Sequence, residues 1–157
     1  MDTAHDSLGS VLNLSKDFTL KELIRTVSGL PNDPDERAEE KLLYLASFIL
    51  QPIRNQWGRL YITSGYRSSG VNKRVGGADT SQHLYGEAAD FIALEAPLKD
   101  VYRWIVDEGH IAFGQCIFEI RATDWIHVAL PRLDKLNHQA LVSTAPGRFV
   151  NFTGRFT

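Results

Sequence analysis

The chain has 157 residues, 43% of them hydrophobic and 23% charged, with a formal net charge of -2. This balance fits one globular domain that buries about two-thirds of its unfolded surface. It excludes wholesale disorder and gives no bulk electrostatic attraction for nucleic acid.

The first residues, 1–14, are polar and small and predict a loose arm. They contain neither a basic stretch nor a following apolar run, so no cleavable leader is expected. No apolar run approaches the ~18 residues of a membrane span, and a monomer is expected. Thr19 followed by Glu22 reads as a capping box. It opens a short helix through Leu20, Leu23, Ile24 and Val27 that Gly29 ends, with Pro31–Pro34 as a turn-rich linker.

Residues 35–56 carry the strongest helical pattern. Ala38, Leu42, Leu45, Ala46, Ile49 and Leu50 recur at helical spacing, with an acidic first turn, and Pro52 is expected to bend or end the helix. Arg59–Thr63 reads as a strand. The segment 68–82 is rich in Ser, Gly, Asn and Asp and predicts a long loop, which in a compact domain points to function.

Asp90–Leu94 predicts a second strand, and Pro97 opens a helix through Val101, Tyr102, Ile105 and Val106 that Gly109 stops. Gln115–Ile120 and Trp125–Leu130 predict a hairpin across a polar turn. The lone cysteine, Cys116, lies in the first of these strands and reads as a small buried residue; an internal disulfide is excluded. Residues 132–157 form a C-terminal extension with one more strand or an extended arm. The fold class is α+β: a small, mainly antiparallel sheet packed by helices, with residues 15–131 as the main domain.

Candidate chemistry centres on Ser81-Gln-His83-Leu-Tyr-Gly86-Glu-Ala88-Ala-Asp90 and on Trp125-Ile-His127-Val. Two histidines and a carboxylate with no obvious fourth ligand have the composition of a catalytic zinc site with one open position. Strand alternation puts His127 on the face opposite Ile126, Val128 and Leu130. The plainer alternative makes His83 a loop residue, Asp90 a strand cap and His127 a surface residue.

Taken together, the spaced Ser81, His83, Gly86, Ala88 and Asp90 resemble the signature of the M15 zinc peptidases, the D-alanyl-D-alanine carboxypeptidase and endolysin family. Ser64-Gly-Tyr-Arg67 upstream, Asn72 with Gly76-Gly77, and the downstream His127 segment resemble one sub-group of that family, over roughly residues 17–131. The resemblance implies an M15/hedgehog-type zinc peptidase fold, with one Zn2+ per chain on His83, Asp90 and His127.

The same resemblance puts the catalytic acid/base at Asp124, three residues before His127, and gives Arg67 the developing oxyanion. Ideal alternation would put Asp124 and His127 on opposite faces, so Asp124 must sit in the turn or be re-aimed by a bulge. Glu119, from the neighbouring strand, is the rival base. Ser81, Tyr66 and Gln115 are weaker candidates for substrate binding.

The implied function is a peptidoglycan peptidase cutting the wall stem peptide, as a carboxypeptidase or an endopeptidase. Without a leader, a phage lysin released with a holin, or a virion component, would bring it to the wall. The alternative is a zinc-stabilised, inactive binding or virion-structural module. A metal-free sugar-binding protein with Trp57, Trp104 and Trp125 as platforms fits less well, because two of those tryptophans fall in core-like patterns.

Overall fold

The computed structural model describes residues 12–135 and 137–156. The arm expected over residues 1–14 falls mostly outside them, but Asn13 bridges Thr19 and Leu14 is buried. Helix α1, Leu20–Leu23, is capped by Thr19, whose hydroxyl accepts from the Glu22 amide. It is shorter than expected, and Val27 is fully exposed. One apolar turn is enough to seat Leu20 and Leu23 in the core, and nothing beyond Ile24 extends that face.

Helix α2, Glu36–Leu45, is capped by the Asp35 side chain at the Ala38 amide. A π turn, Ala46–Leu50, then leads into α3, Gln51–Trp57. Pro52, expected to bend or end the helix, does not end it. The Gln51 amide bonds back to Ala46, five residues earlier, and this wider turn absorbs the proline within a helix that runs on to Trp57. Leu42, Leu45, Ile49, Leu50 and Ile53 are all fully buried on the same side.

Six strands form one sheet in the order β1-β2-β4-β3-β5-β6: β1 Leu60–Ser64, β2 Ala88–Ala93, β3 Gln115–Glu119, β4 Trp125–Ala129, β5 Gln139–Ala145 and β6 Arg148–Asn151. Every pairing is antiparallel except that of β3 with β5. The expected β3–β4 hairpin is present, and the mainly antiparallel α+β class holds. Beyond Pro131 the chain supplies two strands rather than one strand or an arm.

The segment expected to be a 68–82 loop contains a helix, α4, Ser69–Arg74. Ser68 caps it at the Val71 amide, and Asn72 inside it is buried and bonds the Ala78 carbonyl. After β2, helix α5, Leu98–Arg103, continues through a second π turn, Trp104–Glu108.

One face of the sheet is apolar. Ile62, Ala89, Phe91, Cys116, Phe118, Ile126 and Val128 join the helices in a single core. Burial pushes the Cys116 thiol up, in keeping with an inert core residue.

Tyr102 of α5 anchors the C-terminal strands. Its hydroxyl donates to Leu141 O of β5 at 2.8 Å, and its ring meets Phe118, Phe152 and Phe156 edge-on. Removing only that donor, in Tyr102→Phe, should lower the unfolding free energy by about 1–2 kcal/mol in urea titrations. An unchanged midpoint would mean the hydroxyl bond contributes nothing net.

Candidate metal centre

Three strand positions lie in a row. Ser64 stands opposite Asp90 across β1 and β2, and Asp90 stands opposite His127 across β2 and β4. Opposed residues on neighbouring strands share a face. Ile62 pairs with Phe91 on the apolar face, and the register slips between Ile62 and Ser64. That extra residue turns Ser64 to the polar face with Asp90.

His83 comes from a 3-10 turn, Gln82–Tyr85, whose N-cap is Ser81; the Ser81 hydroxyl accepts from the His83 amide at 3.4 Å. Gly86 closes the turn with φ 70°, and a side chain there would run into the Ala38 carbonyl of α2. Glycine is required on both counts. Gly65 is equally constrained, because a Cβ would collide with the Leu23 carbonyl. The two glycines let the strand end and the turn approach each other, and Gly65 O then lies 2.7 Å from His83 Nδ1.

That contact fixes the tautomer. A carbonyl can only accept, so Nδ1 carries the proton and a neutral His83 presents a bare lone pair at Nε2. Nε2 lies 3.2 Å from Asp90 Oδ2, itself a lone-pair atom. Two acceptors at that distance need a proton or a cation between them. Burial lowers the His83 pKa despite the neighbouring Asp90, which disfavours the proton. A metal ion satisfies both atoms.

Asp90 Oδ1 lies 2.8 Å from His127 Nδ1, and the ligand-type atoms of His83, Asp90 and His127 all fall within 4.8 Å of one another. Zinc bonds of about 2.0–2.1 Å in a tetrahedron put ligand atoms about 3.3 Å apart. The residues present therefore fit a zinc ion, with His83 oriented by a carbonyl behind it, as metal-binding imidazoles commonly are. Burial alone would raise the Asp90 carboxyl. The facing His127, hydrogen-bonded to Oδ1, opposes it, and Asp90 is held below the usual carboxylate range.

Arg67 leaves the β1 end with Nε donating to Ser64 Oγ at 2.8 Å and Nη2 at 3.0 Å from Asp90 Oδ2. Burial lowers its pKa, with Asp90 opposing. It also lines a cleft of about 340 Å³ with Tyr66, Thr63, Tyr61 and Arg25. A second cavity of about 310 Å³, lined by His110 and His138, shares no residue with the metal cluster.

The other predicted residues divide. Asp124 sits in the 120–124 turn, and its Oδ1 accepts from the Arg121 amide at 3.0 Å. The β3–β4 ladder runs without a bulge, pairing Ile117 with His127 and Glu119 with Trp125, so Glu119 shares the face of His127. Arg121 Nη2 forms an ion pair with Glu119 Oε2 at 2.7 Å, and that buried oxygen receives no hydrogen bond.

Gln115 lies at the far end of the same face and bonds Gln139. Ser81 serves its own turn, and Tyr66 borders the cleft. Sequence reasoning missed three contributors: the Gly65 carbonyl, the Ser64 hydroxyl and Arg121. Gly65 and Ser64 lay inside a segment already singled out, whereas Arg121 carried no signal.

Among the described residues no helix is long and apolar enough to cross a membrane. A search of curated proteins returns no match. A family model described as Peptidase M15 matches residues 16–129. That span runs from the Phe18 turn to the end of β4 and takes in His83, Asp90 and His127. With most of its length matched and a metal-fitting cluster inside the match, the chain belongs to the Peptidase M15 family, whose members are zinc-dependent metallopeptidases.

Proposed function

We propose that the protein is a zinc-dependent peptidase that hydrolyses a peptide bond of the peptidoglycan stem peptide. The observation that carries this reading is the pair of facing acceptors, His83 Nε2 and Asp90 Oδ2, with His127 Nδ1 on the other carboxylate oxygen. Bound there, zinc supplies Lewis acidity, polarising a carbonyl and making water nucleophilic near neutral pH.

The protein's own groups supply the rest. Arg67, tied to Ser64 and Asp90, brings a guanidinium to the cleft edge, where it can bind a substrate carboxylate or steady charge developing on a carbonyl oxygen. A carboxylate takes a proton from the attacking water and returns it to the leaving amine. Asp124 has one oxygen occupied in its own turn, whereas Glu119 lies on the His127 face with an oxygen free of hydrogen bonds. This supports Glu119, the rival at the level of sequence, as the base.

A second reading, a zinc-binding module without turnover, draws support from the Arg121 contacts that engage both carboxylates. Metal analysis and muropeptide digestion separate the two. Purified protein should hold about one zinc per chain, and His83→Ala or Asp90→Asn should lose it. Mass spectrometry of digested muropeptides should show either terminal D-Ala release or an internal cut. Zinc without any cleavage favours the binding module.

Glu119→Gln should lower kcat at least ~100-fold, with Asp124→Asn close to wild type. The reverse result returns the base to Asp124.

The chelated protein should also lose stability on acidification. His83 is depressed below the ordinary 6.5, so the unfolded state takes up more protons as pH falls through that value. Asp90 adds a second loss below the ordinary 3.8, because its native carboxylate resists protonation. Urea midpoints measured from pH 8 to pH 4 should therefore fall, and a flat profile would contradict the assigned His83 environment.

A further inference from the structure

We infer that Arg121 is a positioning residue for the Glu119 carboxylate, and that β5 works as part of the active site by holding Arg121. The inference rests on the reading of Glu119 as the base.

Strand β5 lies outside the residues matched to the family, which end at 129. It runs parallel to β3 with Ser143 opposite Glu119. Ser143 is fully buried, and every polar atom of its carbonyl and side chain is committed. Its carbonyl accepts from the Ile120 amide at 2.8 Å and from Arg121 Nη1 at 2.9 Å. Its hydroxyl donates to Ala145 O at 3.0 Å, which leaves a lone pair for Arg121 Nη2, also at 3.0 Å.

Arg121 is therefore anchored along its guanidinium. Nη1 also reaches Ile120 O at 2.8 Å, and Cζ lies 5.6 Å from the centre of the Trp125 ring. In that position Nη2 meets Glu119 Oε2 at 2.7 Å while giving one of its two N–H groups to Ser143 Oγ. The guanidinium thus gives Glu119 an opposite charge and a wall, and no hydrogen bond occupies Oε2. A proton acceptor needs that combination of fixed position and free lone pair. A lysine could supply the charge at Glu119 but not the planar fork that spans Ile120 and Ser143.

The experiment uses the zinc-loaded full chain and soluble muropeptides from purified peptidoglycan. It measures kcat, KM, zinc content and Tm for Arg121→Gln, Arg121→Lys, Ser143→Ala, Glu119→Gln and the Arg121→Gln/Glu119→Gln double variant. Arg121→Gln should lower kcat about 10–100-fold, as losses of supporting contacts do. KM and zinc content should stay near wild type. Arg121→Lys should recover part of the rate, and Ser143→Ala, which leaves both charged groups in place, should show a smaller loss of kcat.

Adding Arg121→Gln to Glu119→Gln should cost nothing further, because the group being positioned is already disabled. Wild-type kcat in Arg121→Gln overturns the inference, as does the same fold-loss on top of Glu119→Gln. Either result leaves Glu119 standing as the base. Glu119→Gln at wild-type rate overturns the base assignment and the inference with it.

Discussion

A carboxylate taken out of water must have its charge answered by its neighbours, and the polar face of this sheet is arranged around that demand at Asp90. The residue sits on β2, an inner strand, and its two oxygens are divided among His83, His127 and Arg67. Each partner comes from a different piece of chain: a turn, a neighbouring strand and the end of another strand. The features that look incidental in isolation follow from this. Gly65 and Gly86 permit the close backbone approaches that bring His83 to Asp90, and the slip in β1 turns Ser64 toward the same face to hold Arg67.

The same arrangement explains what was legible in the sequence. His83 and Asp90 stood out because the turn that delivers one leads directly into the strand that carries the other, so their relation is local. His127 followed from alternation along a single strand. The relation between strands is not local: only the pairing of Ile117 with His127 shows that Glu119 shares the face of His127. The family resemblance favoured Asp124, whose carboxylate accepts from the Arg121 amide within its own turn.

Departures from the expected fold have specific causes. Pro52 does not end its helix, because the π turn before it removes the conflict that a regular α-turn would meet. The Ser68 cap opening α4 was hidden in a run of loop-forming residues. In residues 132–157 the pattern was weak because β6 is exposed throughout and β5 is only partly buried, so neither strand alternates cleanly. Tyr102, Phe152 and Phe156 secure that region through contacts distant in sequence.

The parallel pairing of β3 with β5 has a consequence for the order of assembly. Antiparallel neighbours can form as each hairpin emerges, but β5 must run back alongside β3 after β4 is already in place between β3 and β2. A chain is made from its N-terminus. The frame bearing His83, Asp90 and His127 is therefore complete in sequence before Ser143 exists to grip Arg121. The metal cradle therefore draws only on residues that precede β5, whereas locking the Arg121–Glu119 pair also requires β5.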